Sequence, residues 1–382
     1  MRADVGSPSS RRDTLDDHES RFLCLAVSGD RSMERATELA ALYQKFGDNA
    51  AWTLATKNQV LALVAAKLAD APGLGVPARW TACADENGRR VAALVSRAQS
   101  AARALSDAGV RHAVVEGGGT LLASQLAFRA FCPGDLDILV DDMGRALDSL
   151  TGAGFVAAEL DTSLPRVRRL HAAEDPTLRL EVMSCPYERK WVPFQCADPT
   201  TDWLERSVES QRATPLCVLH PSDALANVAI HTSLHSYIRP PGLRLHVDMD
   251  RLVRDNRIDW TEVVPALTAL GVATRAFIAL SMTMALLGTP VPPEVLAELS
   301  PNALRAALIR NLLSEGVFVD GHNKLRGVRQ LALELALADT SLPSWVRNVV
   351  IPDPAWVTPR FGQPGDSPIR AQLRRTWAMI RR

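Results

Sequence analysis

The chain is predicted to be an α+β protein in which a small mixed β-sheet lies between an N-terminal helical cap and a C-terminal helical bundle. Three observations predict this class. Short apolar, β-branched runs bounded by glycine or charged residues are concentrated between about residues 109 and 215, and runs of this kind read as strands. Ala-rich stretches with apolar residues at helical spacing fill residues 22–108 ahead of them. A second helical series fills residues 216–340 behind them.

Residues 1–20 (MRADVGSPSSRRDTLDDHES) are polar, charged and aperiodic, which predicts a disordered tail. Residues 21–108 form the expected helical region, with helices around Ala36–Tyr43, Val60–Ala69 and Val91–Leu105, broken by Pro72, Gly73, Gly75 and Pro77. The core, residues 109–215, opens with a buried strand over Val110–Val115. The run Glu116-Gly117-Gly118-Gly119-Thr120 follows, and then Leu121, Leu122, Leu126 and Phe128 at roughly helical spacing. This is strand, glycine turn, helix. A second strand covers Gly134–Val140, after which Asp141-Asp142 can cap a helix through Ala146, Leu147 and Leu150. That helix ends at Gly152-Ala153-Gly154, and Phe155-Val156 starts another strand. Leu178–Met183 alternates apolar and polar residues as a further strand, with Glu181 between two apolar neighbours. Arg166, Arg168, Arg169 and His171 ahead of it read as a charged loop, solvated or lying over the site as a lid.

In residues 216–340, Pro221-Ser222-Asp223 gives a stop and cap before a helix from Ala224 to His235. Ile258-Asp259-Trp260-Thr261 then precedes a long apolar run from Val263 to Leu287. Residues 341–382 are Pro-rich and then basic. They end in an amphipathic helix with Ile369, Leu373, Trp377 and Ile380 as its apolar stripe and arginines at 370, 374, 375, 381 and 382. Docking of that stripe onto the chain's own helices is the favoured expectation, with a membrane surface or a partner as the alternative.

Composition bounds the partners. A chain of 382 residues with 47% hydrophobic content can bury a sizeable core and suggests two or three domains. Forty-three basic residues balance forty-three acidic ones, so there is no global electrostatic case for tight nucleic-acid binding. The six cysteines, at 24, 83, 132, 185, 196 and 217, show neither a C-x-x-C pair nor zinc spacing, which suits a reducing cytoplasm. No apolar stretch resembles a signal peptide or reaches the length of a membrane span.

The chemistry concentrates at Asp135 and Asp137. On an extended strand residues i and i+2 project to one face, so these carboxylates point together while Leu136 and Ile138 enter the core. Two such charges repel unless neutralised, and a hard divalent cation such as Mg²⁺ is the usual means. A chance D-x-D on a surface strand is the bland reading, and the neighbouring sequence argues against it. The three consecutive glycines before the strand allow close backbone approach, and the N–H groups opening the next helix form an anion site.

A glycine turn opening a helix, a D-x-D strand and a carboxylate on a later strand together resemble the DNA polymerase beta-like nucleotidyltransferase superfamily. More closely, the chain resembles the uncharacterised nucleotidyltransferase family, found mostly in bacteria. The resemblance runs through Glu116-Gly117, the Asp135–Val140 strand, Gly154-Phe155, His231–His235, the Leu245–Leu252 segment with Asp248, Ile258-Asp259-Trp260 and Leu287–Pro292. It covers about residues 45–360.

The resemblance implies a small nucleotidyltransferase core and a definite mechanism. Asp135, Asp137 and Glu181 would hold two Mg²⁺ ions, an acceptor hydroxyl would attack the α-phosphate of a nucleoside triphosphate, with ATP expected, and pyrophosphate would leave in line. The protein would contribute positioning and charge neutralisation. Gly117, Gly118, Gly119 and Thr120 would face the β and γ phosphates, with Arg129 and Arg179 as phosphate partners. His231, His235 and Asp248 would stand on the acceptor side. Neither a nucleic-acid substrate nor a membrane span is expected.

Two positions depart from the family pattern. Glu116 replaces the usual basic residue before the turn glycine, and Glu181 replaces the more usual Asp, with Met183 where a histidine often follows. These departures motivate an alternative, a non-catalytic nucleotide-binding or regulatory protein that retains the fold. A third possibility uses His231 and His235, at i and i+4, as zinc ligands of a hydrolase, although position 232 is Thr rather than the glutamate of the zinc-protease motif.

Overall fold

The computed structural model describes residues 17–157, 167–187, 198–313 and 327–380, except residues 72, 125, 236, 238–241, 257, 340, 342, 344–361 and 363–365. The expected tail at residues 1–16 lies outside the described residues. Its last four positions do not belong to a tail, because the first helix, α1, runs Asp17–Val27 and buries Phe22 and Leu23 completely.

Four more helices follow, α2 (Met33–Phe46), α3 (Asp48–Lys57), α4 (Leu61–Ala69) and the long α5 (Ala78–Asp107). In α5 the buried positions Trp80, Ala84, Asn87, Val91, Leu94, Val95, Ala98, Ala101, Ala102 and Leu105 recur at three- and four-residue spacing, the stripe expected of a helix with one face against a core. The N-terminal half of α5 joins a cluster with α1 to α4, and its C-terminal half packs on the sheet. One helix therefore ties two cores together.

The sheet has seven strands in the order β3-β4-β5-β2-β1-β7-β6. They are β1 (His112–Val115), β2 (Leu136–Val140), β3 (Phe155–Ala157), β4 (Val167–Ala172), β5 (Asp175–Met183), β6 (Val208–Glu209) and β7 (Cys217–Val218). Strand β2 is antiparallel to β1 and parallel to β5, and β7 runs parallel to β1. The sheet is mixed, as expected. Two expectations need correction. Arg168, Arg169 and His171 do not form a loop but lie in β4, antiparallel to β5, because alternation with the buried Leu170 and Ala172 gives them a strand's period; Arg166 lies outside the described residues. The core also extends past residue 215, since Cys217–Val218 completes the sheet.

Between the strands lie α6 (Glu116–Ala123) and α7 (Met143–Gly152). The side chain of Asp142 caps α7 by accepting from the Arg145 N–H, as its sequence predicts. The two sheet faces have different partners. Val114, Leu136, Ile138, Val140, Leu180 and Val182 pack toward α5 and α7. Ala113, Val115, Leu139 and Met183 pack toward the C-terminal helices.

Those helices are α8 (Thr200–Glu205), α9 (Pro221–His235), α10 (Leu243–Asp255), α11 (Trp260–Ala269), α12 (Ala273–Leu287), α13 (Pro293–Leu299), α14 (Ala303–Leu312), α15 (Gly327–Leu337) and α16 (Pro368–Ile380). The apolar run from Val263 to Leu287 is two helices, interrupted at Gly271 with φ 66°. The N-terminal helical region is no separate unit. Its buried cluster includes Ile278, Leu287, Ile309 and Leu333 from α12, α14 and α15. The Leu287–Pro292 segment carries part of this junction, because Thr289 Oγ1 donates to the buried Asp250 at 2.5 Å and Gly29 N–H donates to the same carboxylate at 2.7 Å. No helix among the described residues is long and apolar enough to cross a membrane.

Candidate active site

The register of the central strands builds the site. Asp137 pairs with Glu181 across the parallel β2–β5 ladder and with Val115 across the antiparallel β1–β2 ladder. Paired positions share a face, so Asp137 and Glu181 stand side by side on the face that carries Val115 and Leu139, toward the C-terminal helices. Asp135 lies two residues earlier, just before β2. Leu136 and Ile138 are fully buried on the other face. The period-two reading of this strand therefore places both of its faces.

The neighbouring strand supplies a counter-charge. Arg169 of β4 is the register partner of Glu181, and its Nε donates to Glu181 Oε1 at 2.6 Å. Arg179 occupies the same side of β5 as Glu181, two residues away, and is exposed.

At the end of β1 the chain turns through Glu116, whose φ of 55° lies in the left-handed region. A non-glycine residue there costs of order ~1–3 kcal/mol and persists only when its surroundings hold it. They do so at both ends of the residue. The Glu116 N–H donates to Asn227 Oδ1 at 2.8 Å, and Asn227 Nδ2 in turn donates to the Pro186 carbonyl at 3.1 Å. The carboxylate Oε2 lies 2.7 Å from His231 Nδ1. The negative charge at the turn therefore meets a histidine of α9.

The glycines act mainly as seats for α6. A β-carbon on Gly118 would lie 2.5 Å from Leu136 Cδ2 and 2.9 Å from Val114 Cγ1, and one on Gly119 would lie 2.9 Å from the Val114 carbonyl oxygen. Both residues are buried. Only the absence of side chains lets the helix approach β1 and β2 this closely. Gly117 is different, because a β-carbon there would lie 3.0 Å from Asp248 Oδ2. It faces α10 across the site. Thr120 is buried, and its hydroxyl donates to the Glu116 carbonyl at 3.4 Å, so that group is directed into the helix rather than toward a phosphate.

Arg129 is not brought to the site. Its guanidinium pairs with Asp70 and with Asp85 at 3.3 Å, and its carbonyl accepts from Asn87. It fastens the segment before β2 to the N-terminal helices. His231 and His235 of α9 lie with their rings 4.5 Å apart, His231 reaches Glu116, and α10 carries Asp248 against Gly117 in the first turn of α6.

Electrostatics mark the cluster as strained. Burial pushes the Asp137 carboxyl well above the usual carboxylate range, and the charges of Glu116, Asp135 and Glu181 push it further. Asp135 is raised by burial and by Glu116, against the opposing pull of Arg244. Glu181 is raised by burial despite Arg169, and Asp248 is raised by burial despite Arg244 and Arg251. Burial pulls the His231 imidazole down, but the Glu116 charge and hydrogen bond outweigh it, so its pKa is raised.

Buried oxygen donors with more negative charge than the nearby arginines offset suit a hard divalent cation. Among the described residues no three His, Cys, Asp or Glu side chains are drawn together as a ready ligand cage. Asp137 and Glu181 are paired in register, Asp135 stands just before that strand, and the Glu181 carboxylate is engaged by Arg169.

Sequence reasoning missed Arg244, whose charge acts on Asp135, Asp137, Asp248 and His231. Its position four residues before Asp248 on one helix was the available signal. The Glu116–His231 pair joins residues far apart in the chain and had no local signal.

The profile described as uncharacterised nucleotidyltransferase matches residues 44–288. That span holds the glycines of α6, the carboxylates Asp135, Asp137 and Glu181, and the helices that carry His231 and Asp248. Among curated proteins and solved structures no match is found. With well over half its length inside that match and the carboxylate row at its centre, the chain belongs to the uncharacterised nucleotidyltransferase family.

Proposed function

We propose that the protein is a Mg²⁺-dependent nucleotidyltransferase that moves a nucleoside monophosphate, AMP in the first instance, from its triphosphate to a hydroxyl group. The acceptor class is a small molecule, a peptide natural product or a protein. The observation that carries this reading is the β2–β5 register, which sets Glu181 beside Asp137 on one face.

The acceptor oxygen bonds to the α-phosphorus, the bond from that phosphorus to the β-phosphate bridging oxygen breaks, and the hydroxyl proton passes to a carboxylate or to water. Asp135, Asp137 and Glu181 would hold Mg²⁺, which when bound offsets the triphosphate charge and lowers the pKa of the attacking hydroxyl. The remaining roles belong to the chain. Arg179, exposed on the Glu181 side of β5, is the phosphate partner in this reading. Gly117, lacking a side chain, lets the Asp248 carboxylate come up against the start of α6. His231, His235 and Asp248 line the side of α9 and α10 from which an acceptor would approach.

A second reading, a nucleotide-binding or regulatory protein without catalysis, is favoured by the engagement of Glu181 with Arg169 and of Glu116 with His231. Calorimetry with Mg²⁺ and each nucleoside triphosphate, together with pyrophosphate release in a small-molecule extract of the producing cell, separates the two. Binding with release that falls at least about a hundredfold in the Asp135→Ala, Asp137→Ala double variant supports the enzyme. Binding without release supports the second reading. Absence of Mg²⁺-dependent nucleotide binding sinks both.

A further inference from the structure

The C-terminal helix departs from its expected packing. Ala371 is fully buried, so α16 is seated on the protein through that side, while Ile369, Leu373 and Trp377 are 64%, 64% and 55% exposed. Ile369 and Leu373 of the apolar stripe therefore face outward rather than onto the chain's own helices. Helix α16 packs on α15, and α15 packs on α14. Both neighbours repeat the pattern, with Leu304 and Leu308 on α14 and Val328 and Leu335 on α15 also exposed. Seven of the eleven large apolar side chains that stand exposed among the described residues thus lie on these three helices, a concentration that scattered surface hydrophobics do not explain.

Charge indicates what such a surface would meet. Residues 368–382 contain five arginines and no acid, in a chain whose total charge is zero, so the rest of the molecule carries a net excess of five acids. Arg370 and Arg374 are exposed on α16, Arg310 on α14 and Arg329 on α15. Among the described residues, three acids on or beside these helices act on cations. Asp366 is paired with Arg374, Asp339 with Arg305, and Glu334, the one acid within the three helices, acts on the buried Arg275.

An apolar stripe flanked by arginines matches an anionic lipid surface, where side chains such as Ile, Leu and Trp enter the headgroup boundary and arginines meet the phosphates. A second copy of the chain fits less well. A two-fold contact would set this arginine-rich face against itself. A grooved protein partner also fits less well, because α16 is already seated on α15 and does not offer an isolated helix to a groove.

We infer that the α14–α15–α16 face is a peripheral membrane-binding surface selective for anionic lipids. The contact is interfacial and leaves the carboxylate site, on the sheet, unchanged. The test is co-sedimentation of the full chain with vesicles of phosphatidylcholine alone and of phosphatidylcholine with about 30 mol% phosphatidylglycerol, at ~0.1 M salt. The wild type is expected to sediment with the anionic vesicles at least about tenfold better than with the neutral ones, and to be released as salt rises. The Ile369→Glu, Leu373→Glu double variant changes two exposed positions and is expected to keep the wild-type melting temperature while losing at least about tenfold in vesicle binding. Arg370→Glu is expected to weaken binding in the same direction. No binding to anionic vesicles, equal binding to neutral ones, or unchanged binding by a folded double variant overturns the inference. Sedimentation velocity showing a dimer that the double variant dissociates, without vesicle binding, assigns the face to a second copy and overturns it equally.

Discussion

Asp137 carries the largest electrostatic cost in the site. Its carboxylate is buried beside Asp135 and Glu181 and within reach of Glu116, so ionisation at neutral pH without a cation opposes folding. Asparagine keeps the shape and removes the charge. Asp137→Asn is therefore expected to stabilise the metal-free protein at pH 7 by about 0.5–3 kcal/mol, to abolish pyrophosphate release and to lose the rise in melting temperature that Mg²⁺ gives the wild type. Denaturant unfolding in EDTA and thermal melting with Mg²⁺ check both halves. A variant less stable than the wild type in EDTA would show that the carboxylates are not in conflict. Glu116 illustrates a related economy, because its left-handed backbone delivers a carboxylate to His231 where the resemblance leads one to expect a cation. The residue type at 116 was legible as a departure. Its partner was not, because His231 reaches it only through the packing of α9 on α6.

At the scale of the element, α6 is set by Gly118 and Gly119 on the strands that carry the site. Gly118→Ala forces a methyl group into Leu136 and Val114 and is expected to cost about 1–3 kcal/mol. Gly119→Ala meets the backbone carbonyl of Val114, which cannot rotate away, and is expected to cost at least as much. Chemical denaturation measures both, and a neutral result at both positions would mean that α6 is seated by other contacts. The strands and caps with strong local signals were legible: β2 from its alternation around Asp137, α7 from the Asp142 cap, α9 from Pro221. Strand β4 was not, because Arg168, Arg169 and His171 make its sequence look like a solvated loop until β5 supplies the hydrogen-bonding edge. Strand β7 is only two residues long, too short to announce a period.

For the whole molecule, the raised carboxyls set the direction of the pH response. Asp223, pushed up to about 6 by burial, joins Asp135, Asp137, Glu181 and Asp248. A carboxyl whose folded pKa exceeds its unfolded value favours folding below the unfolded value and loses that contribution as pH rises through the folded one. His231, also raised, acts in the same sense as pH rises through its folded value. The buried His112 and Lys67, both lowered by burial, act oppositely by disfavouring the fold in acid. Asp30, Glu38 and Asp48, lowered mainly through hydrogen bonds near the surface and set against burial, also favour the fold as pH rises, but their exposure limits the effect. The metal-free protein is therefore expected to lose stability as pH rises from the ordinary carboxylate range through about 6, the value to which Asp223 is pushed, and Mg²⁺ is expected to flatten that decline. Unfolding curves across this range, with EDTA and with Mg²⁺, test it, and stability that rises with pH in EDTA would contradict the carboxylate cluster as described.

Local sequence was enough for the α+β class, the strand and helix that adjoin near residue 116, the D-x-D strand and the helical flanks, although Gly117–Gly119 proved to lie inside α6 rather than in a turn before it. Each of these rests on a spacing of two to four residues or on a single turn, interactions that local chemistry settles. Which residues meet was left to the packing of the whole chain. Strand register set Glu181 beside Asp137 and Arg169 beside Glu181, helix packing brought His231 to Glu116 and Asp248 to Gly117, and Asp70 and Asp85 drew Arg129 away from the site. These partners are distant along the chain, and their meeting depends on how the whole set of apolar faces is buried. The same constraint left Ile369 and Leu373 of α16 exposed, while Ala371 fills the contact with the protein.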